Sequence, residues 1–315
     1  MNSPGPAPTA RSDQRTGVLF GLIAYLLWGL FPIYFKALGA IPPIDIVAHR
    51  ICWSLLLVLA LVAASRSGNR LRAIGRQPRL LFALLLTALL VAVNWLVYVY
   101  AVNSGHVLAG SLGYYLNPIA NILLGRFALG ERLSGRQWAA VAIAAAGILA
   151  LAVEAGATLW ISLVLCVSFS LYGFLRKVLD VDALGGLTIE TLWLAPVALG
   201  WLLLFGGAHG GETFGRHAST SLMLVGTGIA TTVPLLLFTG AARRIPYSTL
   251  GMLQFITPTL QFLLAVVLFG ERLTTPHAIA FSAIWAAVLI YVAELLRTRQ
   301  SADPEPPVER KDLTC

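Results

Sequence analysis

Charged residues are scarce in this sequence. Asp, Glu, Lys and Arg make up 11% of its 315 residues, whereas 58% are hydrophobic and the mean hydropathy is +0.81. A water-soluble protein needs a polar outer surface, and so few charges could not provide one. Apolar runs of about 20 residues are typical of helices that cross a bilayer. The composition therefore predicts an integral membrane protein whose surroundings include the lipid bilayer.

Cysteine is also rare. Cys52 and Cys166 lie inside apolar runs, and Cys315 is the last residue. Their spacing fits neither a metal-binding motif nor a disulfide framework. We interpret them as small apolar residues of the interior, and we expect no bound metal and no cofactor.

Sequence motifs of common enzyme active sites are also absent. The sequence has no His-Glu-x-x-His, no phosphate-binding loop, no Gly-x-Ser-x-Gly and no pair of Asp residues inside an apolar run, so we do not expect an enzyme. The net charge of +8 could indicate nucleic acid as a partner. However, the Lys and Arg residues lie in short loops between apolar runs rather than on one folded face, so nucleic acid is excluded.

Ten apolar runs are present, at residues 17–37, 44–64, 80–102, 107–127, 135–153, 157–177, 186–206, 219–239, 246–269 and 275–295. If all ten cross the membrane and the N-terminus is cytoplasmic, 18 of the 22 Lys and Arg residues face the cytoplasm and 3 face the other side. Positive loops favour the cytoplasm. The pattern predicts an all-α fold of ten transmembrane helices with both termini cytoplasmic. The tails, 1–16 and 298–315, are predicted to be disordered.

A sequence repeat divides the chain into two halves. Residues 116–134 contain Asn-Pro and end in Gly-Glu-Arg-Leu-Ser, and residues 256–274 contain Thr-Pro and end in Gly-Glu-Arg-Leu-Thr, 140 residues later. The halves, 17–154 and 155–297, each contain five runs. Because five is odd, the second half enters the membrane in the opposite direction. Inverted repeats of this kind are typical of secondary transporters with a site near the midplane.

The repeated segments carry polar stripes. Tyr114, Asn117 and Asn121 fall on one helix face, and their counterparts at the offset of 140 are given by Gln254, Thr257 and Gln261. Such side chains turn away from lipid. They either line a substrate cavity or join helices by hydrogen bonds, and the repetition favours the cavity. Pro118 and Pro258 are predicted to kink the two helices at matching places.

Other apolar runs add candidates for the same cavity. In the first half these are Trp28, Arg50, Asn94, Trp95 and Tyr98. Arg50 either snorkels from a helix end or faces the cavity, where it would bind an anionic group or pair with a carboxylate.

Other charged or titratable residues also have candidate roles. Two ionisable residues inside apolar runs, His49 and Glu190, are the candidates for ion coupling. Glu131 and Glu271 are predicted to fix their loops by ion pairs with the neighbouring Arg132 and Arg272, the alternative being a coupling role. Ser134 and Gln137 are predicted to form a capping box.

Ten runs, two five-helix halves and a proline helix leading to Gly-Glu-Arg-Leu in both halves resemble the EamA-type branch of the drug/metabolite transporter superfamily. Residues 17–36, 48–54 and 94–118 resemble the RarD proteins within it. The resemblance implies a multi-pass carrier of the bacterial inner membrane with a central cavity. RarD proteins carry a label of chloramphenicol sensitivity, which names a phenotype rather than a substrate.

These features predict a secondary transporter that moves a small organic metabolite or drug-like molecule by alternating access between the two halves. The alternative is a non-transporting membrane sensor or assembly partner. The Ala-rich fifth run suits close helix packing within one subunit or between two, so a monomer and a homodimer both remain open.

Overall fold

The computed structural model describes residues 8–38, 41–103, 107–155, 158–205, 214–268 and 275–300. Within these ranges the chain is helical apart from short turns, and they contain no β-strand. The helices in chain order are α1 (Pro8–Gly29), α2 (Phe31–Ala37), α3 (Pro43–Ala64), α4 (Gly68–Gly75), α5 (Pro78–Asn103), α6 (Val107–Phe127), α7 (Gly135–Ala155), α8 (Leu159–Val178), α9 (Ala183–Phe205), α10 (Ala218–Arg244), α11 (Tyr247–Gln254), α12 (Ile256–Val267) and α13 (Thr275–Gln300).

Several of these helices are membrane-spanning by length and composition. Six stretches reach the required length and hydropathy: Ser12–Ala37, Pro43–Ala64, Pro78–Tyr98, Leu159–Val178, Ala183–Phe205 and Ala218–Arg244. Gly135–Leu149 and Ala278–Glu294 are apolar but shorter. The prediction of an all-α membrane protein with several spans is confirmed. The count of ten crossings stays a prediction.

Helical structure extends into both predicted tails. α1 starts at Pro8, so residues 8–16 are helical rather than disordered, and α13 continues to Gln300. The polar start of α1 is held by the side chain of Asp13, whose Oδ1 accepts a hydrogen bond from Nε of Arg244 at 2.8 Å. This charge pair joins the polar first turns of α1 to the end of α10.

Two of the predicted continuous helices are broken. The first run divides at Leu30 into α1 and α2, and the ninth divides at Phe255 into α11 and α12. Each break lies two or three residues before a proline, Pro32 or Pro258. Proline has no backbone N–H and its ring crowds the preceding turn, which weakens the helix at that point. The kink predicted at Pro258 coincides with this break, whereas α6 runs through Pro118 without one.

Helices from the two halves pack across the whole bundle. α3 contacts α9 and α10, α1 contacts α10 and α12, and α8 contacts α5 and α6, while α6 packs on α11 and α7 on α13. The contact of α7 with α13 uses small residues: a Cβ added at Gly147 would lie 2.7 Å from Cβ of Ala283. The Ala-rich fifth run therefore packs closely within this chain.

One end of the bundle is held together by charged groups. Glu131, predicted to pair with Arg132, instead caps the start of α11. Its Oε1 accepts the N–H of Tyr247 at 2.6 Å, and its Oε2 accepts the N–H and Oγ of Ser248 at 3.0 and 2.6 Å. Free N–H groups at a helix start attract a carboxylate more strongly than an exposed arginine does.

The same end contains two further contacts. Nζ of Lys177, at the end of α8, donates to the carbonyl oxygens of Ala242 and Ile245 at 2.8 and 2.7 Å. The predicted capping box forms at the start of α7, where the N–H of Ser134 bonds Oε1 of Gln137 at 2.8 Å and the N–H of Gln137 bonds Oγ of Ser134 at 3.2 Å. The second Gly-Glu-Arg-Leu segment, 270–273, lies outside the described residues.

Candidate functional site

A cavity lies between the helices of both halves. Its empty space, counted together with the solvent at its open mouth, is about 770 Å³. The lining residues are Tyr25, Trp28, Phe31, Phe35, Arg50, Asn94, Trp95, Tyr98, Tyr114, Phe169, Thr231, Leu235, Gln254, Thr257, Pro258 and Gln261.

Nine of the eleven residues predicted to line the cavity do so. They are Trp28, Arg50, Asn94, Trp95, Tyr98, Tyr114, Gln254, Thr257 and Gln261. The other two, Asn117 and Asn121, are fully buried between helices and do not reach it. Of the predicted polar face of α6, only Tyr114 therefore reaches this cavity.

Arg50 faces the cavity rather than snorkelling to a helix end. Its Nε donates to Oγ1 of Thr231 at 2.9 Å, across from α3 to α10. The guanidinium carbon lies 4.8 Å from the ring centroid of Trp95 and 5.2 Å from that of Phe35. Aromatic faces attract a cation, so these rings and Thr231 fix the position of the charge.

Aromatic side chains form most of the remaining wall. The ring of Trp28 meets that of Phe169 edge to face at 5.7 Å and that of Tyr25 at 5.8 Å. On the opposite side Tyr98 and Tyr114 lie 5.4 Å apart. These pairs stiffen the wall and give it flat apolar surfaces.

The second polar stripe both lines the cavity and joins helices. Thr257 Oγ1 donates to the carbonyl of Tyr25 at 2.9 Å, and Gln261 Nε2 donates to that of Trp28 at 3.2 Å. Trp28 lies four residues before Pro32, so its carbonyl lacks the usual helical partner. Gln261 supplies that partner from α12. The same side chains therefore line the cavity and join helices by hydrogen bonds.

The first stripe is bonded differently. Tyr114 Oη donates to Oδ1 of Asn94 at 3.4 Å, and Nδ2 of Asn94 donates to the carbonyl of Leu165 and Oγ of Ser168, both at 3.0 Å. Nδ2 of Asn121 donates to Oε1 of Gln254 at 2.7 Å.

Asn117 is the exception within this stripe. It is 0% exposed, and neither atom of its amide has a hydrogen-bond partner among the described residues. A buried amide without partners is costly.

Glu190 lies in a buried ion pair beside the cavity. Its Oε1 is 3.6 Å from Nε of Arg176 and accepts Oγ1 of Thr87 at 2.6 Å, while Tyr172 donates to Oε2 at 3.4 Å. A smaller pocket next to Glu190 shares Trp95, Thr231 and Leu235 with the main cavity.

His49 lines neither space. Its ring lies 5.5 Å from that of Phe214. In the part of the chain that the structure describes, no three His, Cys, Asp or Glu residues are grouped to hold a metal ion.

Several lining residues were missed from the sequence. Phe31 and Phe35 stand three and seven residues after Trp28, the same spacing as the polar stripes, so periodicity alone could have found them. Thr231 and Phe169 come from α10 and α8 of the second half. Thr227 and Thr231 lie four residues apart on one face of α10, so periodicity could have found Thr231 as well. Nothing in the local sequence distinguishes Phe169 from a packing residue.

Comparisons with known proteins agree with this architecture. Residues 15–153 match the EamA-like transporter family. The chain is 42% identical to an uncharacterized transporter of Vibrio cholerae, over 93% of this chain and 97% of that protein, and 43% identical to Protein RarD of Salmonella typhimurium, over 91% and 98%. A solved crystal structure, 21% identical, has a TM-score of 0.69 over 89% of this chain and 98% of its own, which shows the shared fold.

The relatives also bear on the location of the protein. With six apolar spans and relatives from bacteria, it is a multi-pass protein of the bacterial inner membrane. Identity above 40% over nine tenths of the chain establishes the family: this protein belongs to the EamA-like transporter family, within its RarD group.

Proposed function

We propose that this member of a transporter family is a secondary carrier that moves a small organic molecule across the cytoplasmic membrane by alternating access. The observation that carries the proposal is the cavity, because it is built from both halves of the chain around one partly buried cation. Polar and charged groups are costly inside a membrane protein and are typical of substrate paths there. We propose the nine lining residues predicted from sequence as the substrate site.

Helix pairing supports an inverted repeat of residues 17–154 and 155–297. Helices at equivalent positions of the two halves pack on each other: α3 on α9, α6 on α11 and α7 on α13. The contact of α1 with α10 is matched by that of α8 with α5. A pseudo-twofold axis in the membrane plane would produce these pairings. We propose ten crossings, counting α1–α2 and α11–α12 as one each, with both termini cytoplasmic.

The contacts at one end of the bundle indicate which conformational state of the proposed carrier this structure represents. The Glu131 cap and the Lys177 bonds hold the ends of α6, α8 and α10 against the start of α11. These ends carry the cytoplasmic positive residues of the predicted topology. We therefore propose that the structure is closed toward the cytoplasm, and that transport requires this end to open. Asn117 and Asn121, buried here, would line the path in the opposite state.

Glu190 is the stronger of the two candidates for ion coupling. Its carboxylate adjoins a pocket that shares three residues with the cavity, whereas His49 packs away from both spaces. Flux measured with and without a pH gradient tests this role. A flux that ignores the gradient in the wild-type protein contradicts proton coupling through either residue.

The alternative, a non-transporting sensor or assembly partner, has less support because the relatives include proteins named as transporters. A small-molecule substrate and lipid are the proposed partners. A homodimer gains no support from α7, whose small residues pack against α13 of the same chain.

Counterflow in proteoliposomes tests the carrier proposal. The purified full-length chain should exchange at least one member of a broad metabolite and drug panel, which includes chloramphenicol, faster than protein-free liposomes do. Thr231→Trp fills the cavity and serves as the inactive control. If no panel member exchanges or stabilises the folded protein against heat, the carrier proposal is wrong. A sensor would instead show altered stability in Arg50→Ala and Asn117→Ala with no flux to lose.

A further inference from the structure

The cavity contains one formal charge and no opposite charge. Among its described lining residues, Arg50 is the only charged side chain, and there is no Asp or Glu. None of the ion pairs between described residues includes Arg50. The ionisable groups near enough to interact with it are Tyr34, Tyr98 and Tyr114, which are neutral phenols. The site therefore carries one uncompensated positive charge.

Most N–H donors of the Arg50 guanidinium are available to a ligand. It has five N–H bonds in a planar fork, and only Nε is used, by Thr231. The two Nη groups have no acceptor among the described residues. They lie between the rings of Phe31, Phe35 and Trp95, at 5.9, 5.2 and 4.8 Å from the guanidinium carbon. A partly desolvated cation with free parallel donors is suited to a carboxylate bound through both oxygens.

The rest of the lining limits the body of the ligand. Half of the sixteen lining residues are aromatic: Tyr25, Trp28, Phe31, Phe35, Trp95, Tyr98, Tyr114 and Phe169. Flat apolar walls favour a planar ring over a sugar or a polyol. A single cation matches a monoanion better than a phosphate dianion. The ammonium group of a zwitterion would find no carboxylate among the described lining residues.

We propose that the transported substrate is a small monocarboxylate with a planar apolar body and no ammonium group. Its carboxylate binds the Nη groups of Arg50, and its ring packs between Trp28, Phe169 and Trp95. This inference rests on the proposed carrier function, since it assigns a substrate class to the same cavity.

Matched ligands test the proposal on the purified full-length protein in lipid nanodiscs. The probes are 3-phenylpropionate and 2-naphthylacetate, each compared with its primary amide and its amine, together with phenylalanine as the zwitterion. Isothermal titration calorimetry gives the dissociation constants. We expect each carboxylate to bind about 10- to 100-fold more tightly than its amide, which is the effect of one charge-assisted contact. The amines and phenylalanine should bind no better than the amides.

Variants assign the preference to Arg50. Arg50→Gln keeps an N–H donor but removes the charge, so it should reduce carboxylate affinity to about the level of the amide and change amide affinity much less. Arg50→Lys keeps the charge without the planar fork and should retain part of the preference. Arg136→Gln is the matched control, because this arginine is 58% exposed and pairs with Glu294 outside the cavity. If Arg50→Gln fails to fold, Thr231→Val takes its place, and carboxylate affinity should fall while amide affinity stays.

Three results overturn the proposal. These are amides or amines that bind the wild-type protein as tightly as the carboxylates, a carboxylate preference that persists in Arg50→Gln, and no binding of either carboxylate at millimolar concentration. Counterflow separates this inference from the carrier function. If an amine or a neutral compound is exchanged, the carrier proposal stands and the proposed anion site is wrong. If a carboxylate binds tightly but is not exchanged, the anion site stands and the carrier proposal is wrong.

Discussion

α6 and its counterpart, the α11–α12 pair, have matching sequences and different structures. α6 is continuous from Val107 to Phe127 although Pro118 lies near its middle, whereas the second copy is broken at Phe255. All three polar residues of the second stripe line the cavity, but only Tyr114 of the first does. The same pattern of residues thus occupies two environments in one molecule.

This difference shows that a proline alone does not break these helices. The second copy is held at both sides of its break: Glu131 caps the start of α11, and Tyr115 donates to the carbonyl of Pro258 at 3.2 Å. Inverted repeats that exchange conformations are the basis of alternating access. The unequal copies support the proposal that this structure is one of two related states.

The cap on α11 should give the largest effect. Glu131→Ala removes the acceptor for two backbone N–H groups and one hydroxyl, and we expect a loss of about 2–4 kcal/mol in the free energy of unfolding. Titration with denaturing detergent in mixed micelles measures it. Glu131→Gln keeps one acceptor oxygen and should recover part of the loss. A loss below about 1 kcal/mol for Glu131→Ala would show that this carboxylate does not cap α11.

A double-mutant cycle tests the asymmetry between the stripes directly. Asn121 and Gln254 are bonded at 2.7 Å, and the equivalent pair under the repeat is Gln261 and Tyr114, which bond Trp28 and Asn94 instead. We expect a coupling energy of about 1 kcal/mol between alanine substitutions in the first pair.

The second pair provides the internal control. Its coupling should lie near zero, because Tyr114 and Gln261 have different partners. Similar coupling in both pairs would mean that the two stripes are equivalent in solution, contrary to the structure.

Substitutions at the central positions of the two stripes should change the free energy of unfolding in opposite directions. Asn117→Leu removes a buried amide that has no partner among the described residues and should stabilise the fold by about 1 kcal/mol. Thr257→Val removes the bond to the carbonyl of Tyr25 and should destabilise it by a similar amount. Counterflow completes the test, since Asn117→Leu should still slow exchange if this residue lines the path in the opposite state.

Periodicity in the sequence located the cavity but not the rotation of every helix. Spacing defines which residues share a face, and the structure groups nine of the eleven candidates around one cavity. The position of α6 in the bundle depends on its close packing against α11. A Cβ added at Gly251 of α11 would lie only 2.8 Å from the carbonyl oxygen of Pro118. The same contact covers Asn121, whose Cβ would lie 3.0 Å from that added atom, and no local pattern in the sequence encodes it.

Partners distant in sequence account for the other differences. Glu131 and the N–H of Tyr247 are 116 residues apart, so the neighbouring Arg132 was the only partner that local reasoning could offer. Thr231 reaches Arg50 across 181 residues. Hydrophobic runs, prolines and stripes are readable along the chain, whereas polar contacts between the halves depend on how the halves meet.

Substitution of Arg132 should have the smallest effect on the free energy of unfolding. It contrasts with substitution of Glu131, the preceding residue of the same Gly-Glu-Arg-Leu segment. Its side chain is exposed, and both carboxylate oxygens of the neighbouring Glu131 accept hydrogen bonds from the start of α11. Arg132→Ala should therefore change the free energy of unfolding by less than about 0.5 kcal/mol, against the much larger loss at Glu131. Mixed-micelle unfolding of the two variants under the same conditions gives both values. If Arg132→Ala destabilises as much as Glu131→Ala, the ion pair predicted from sequence operates in the folded protein and the helix cap is not what fixes this loop.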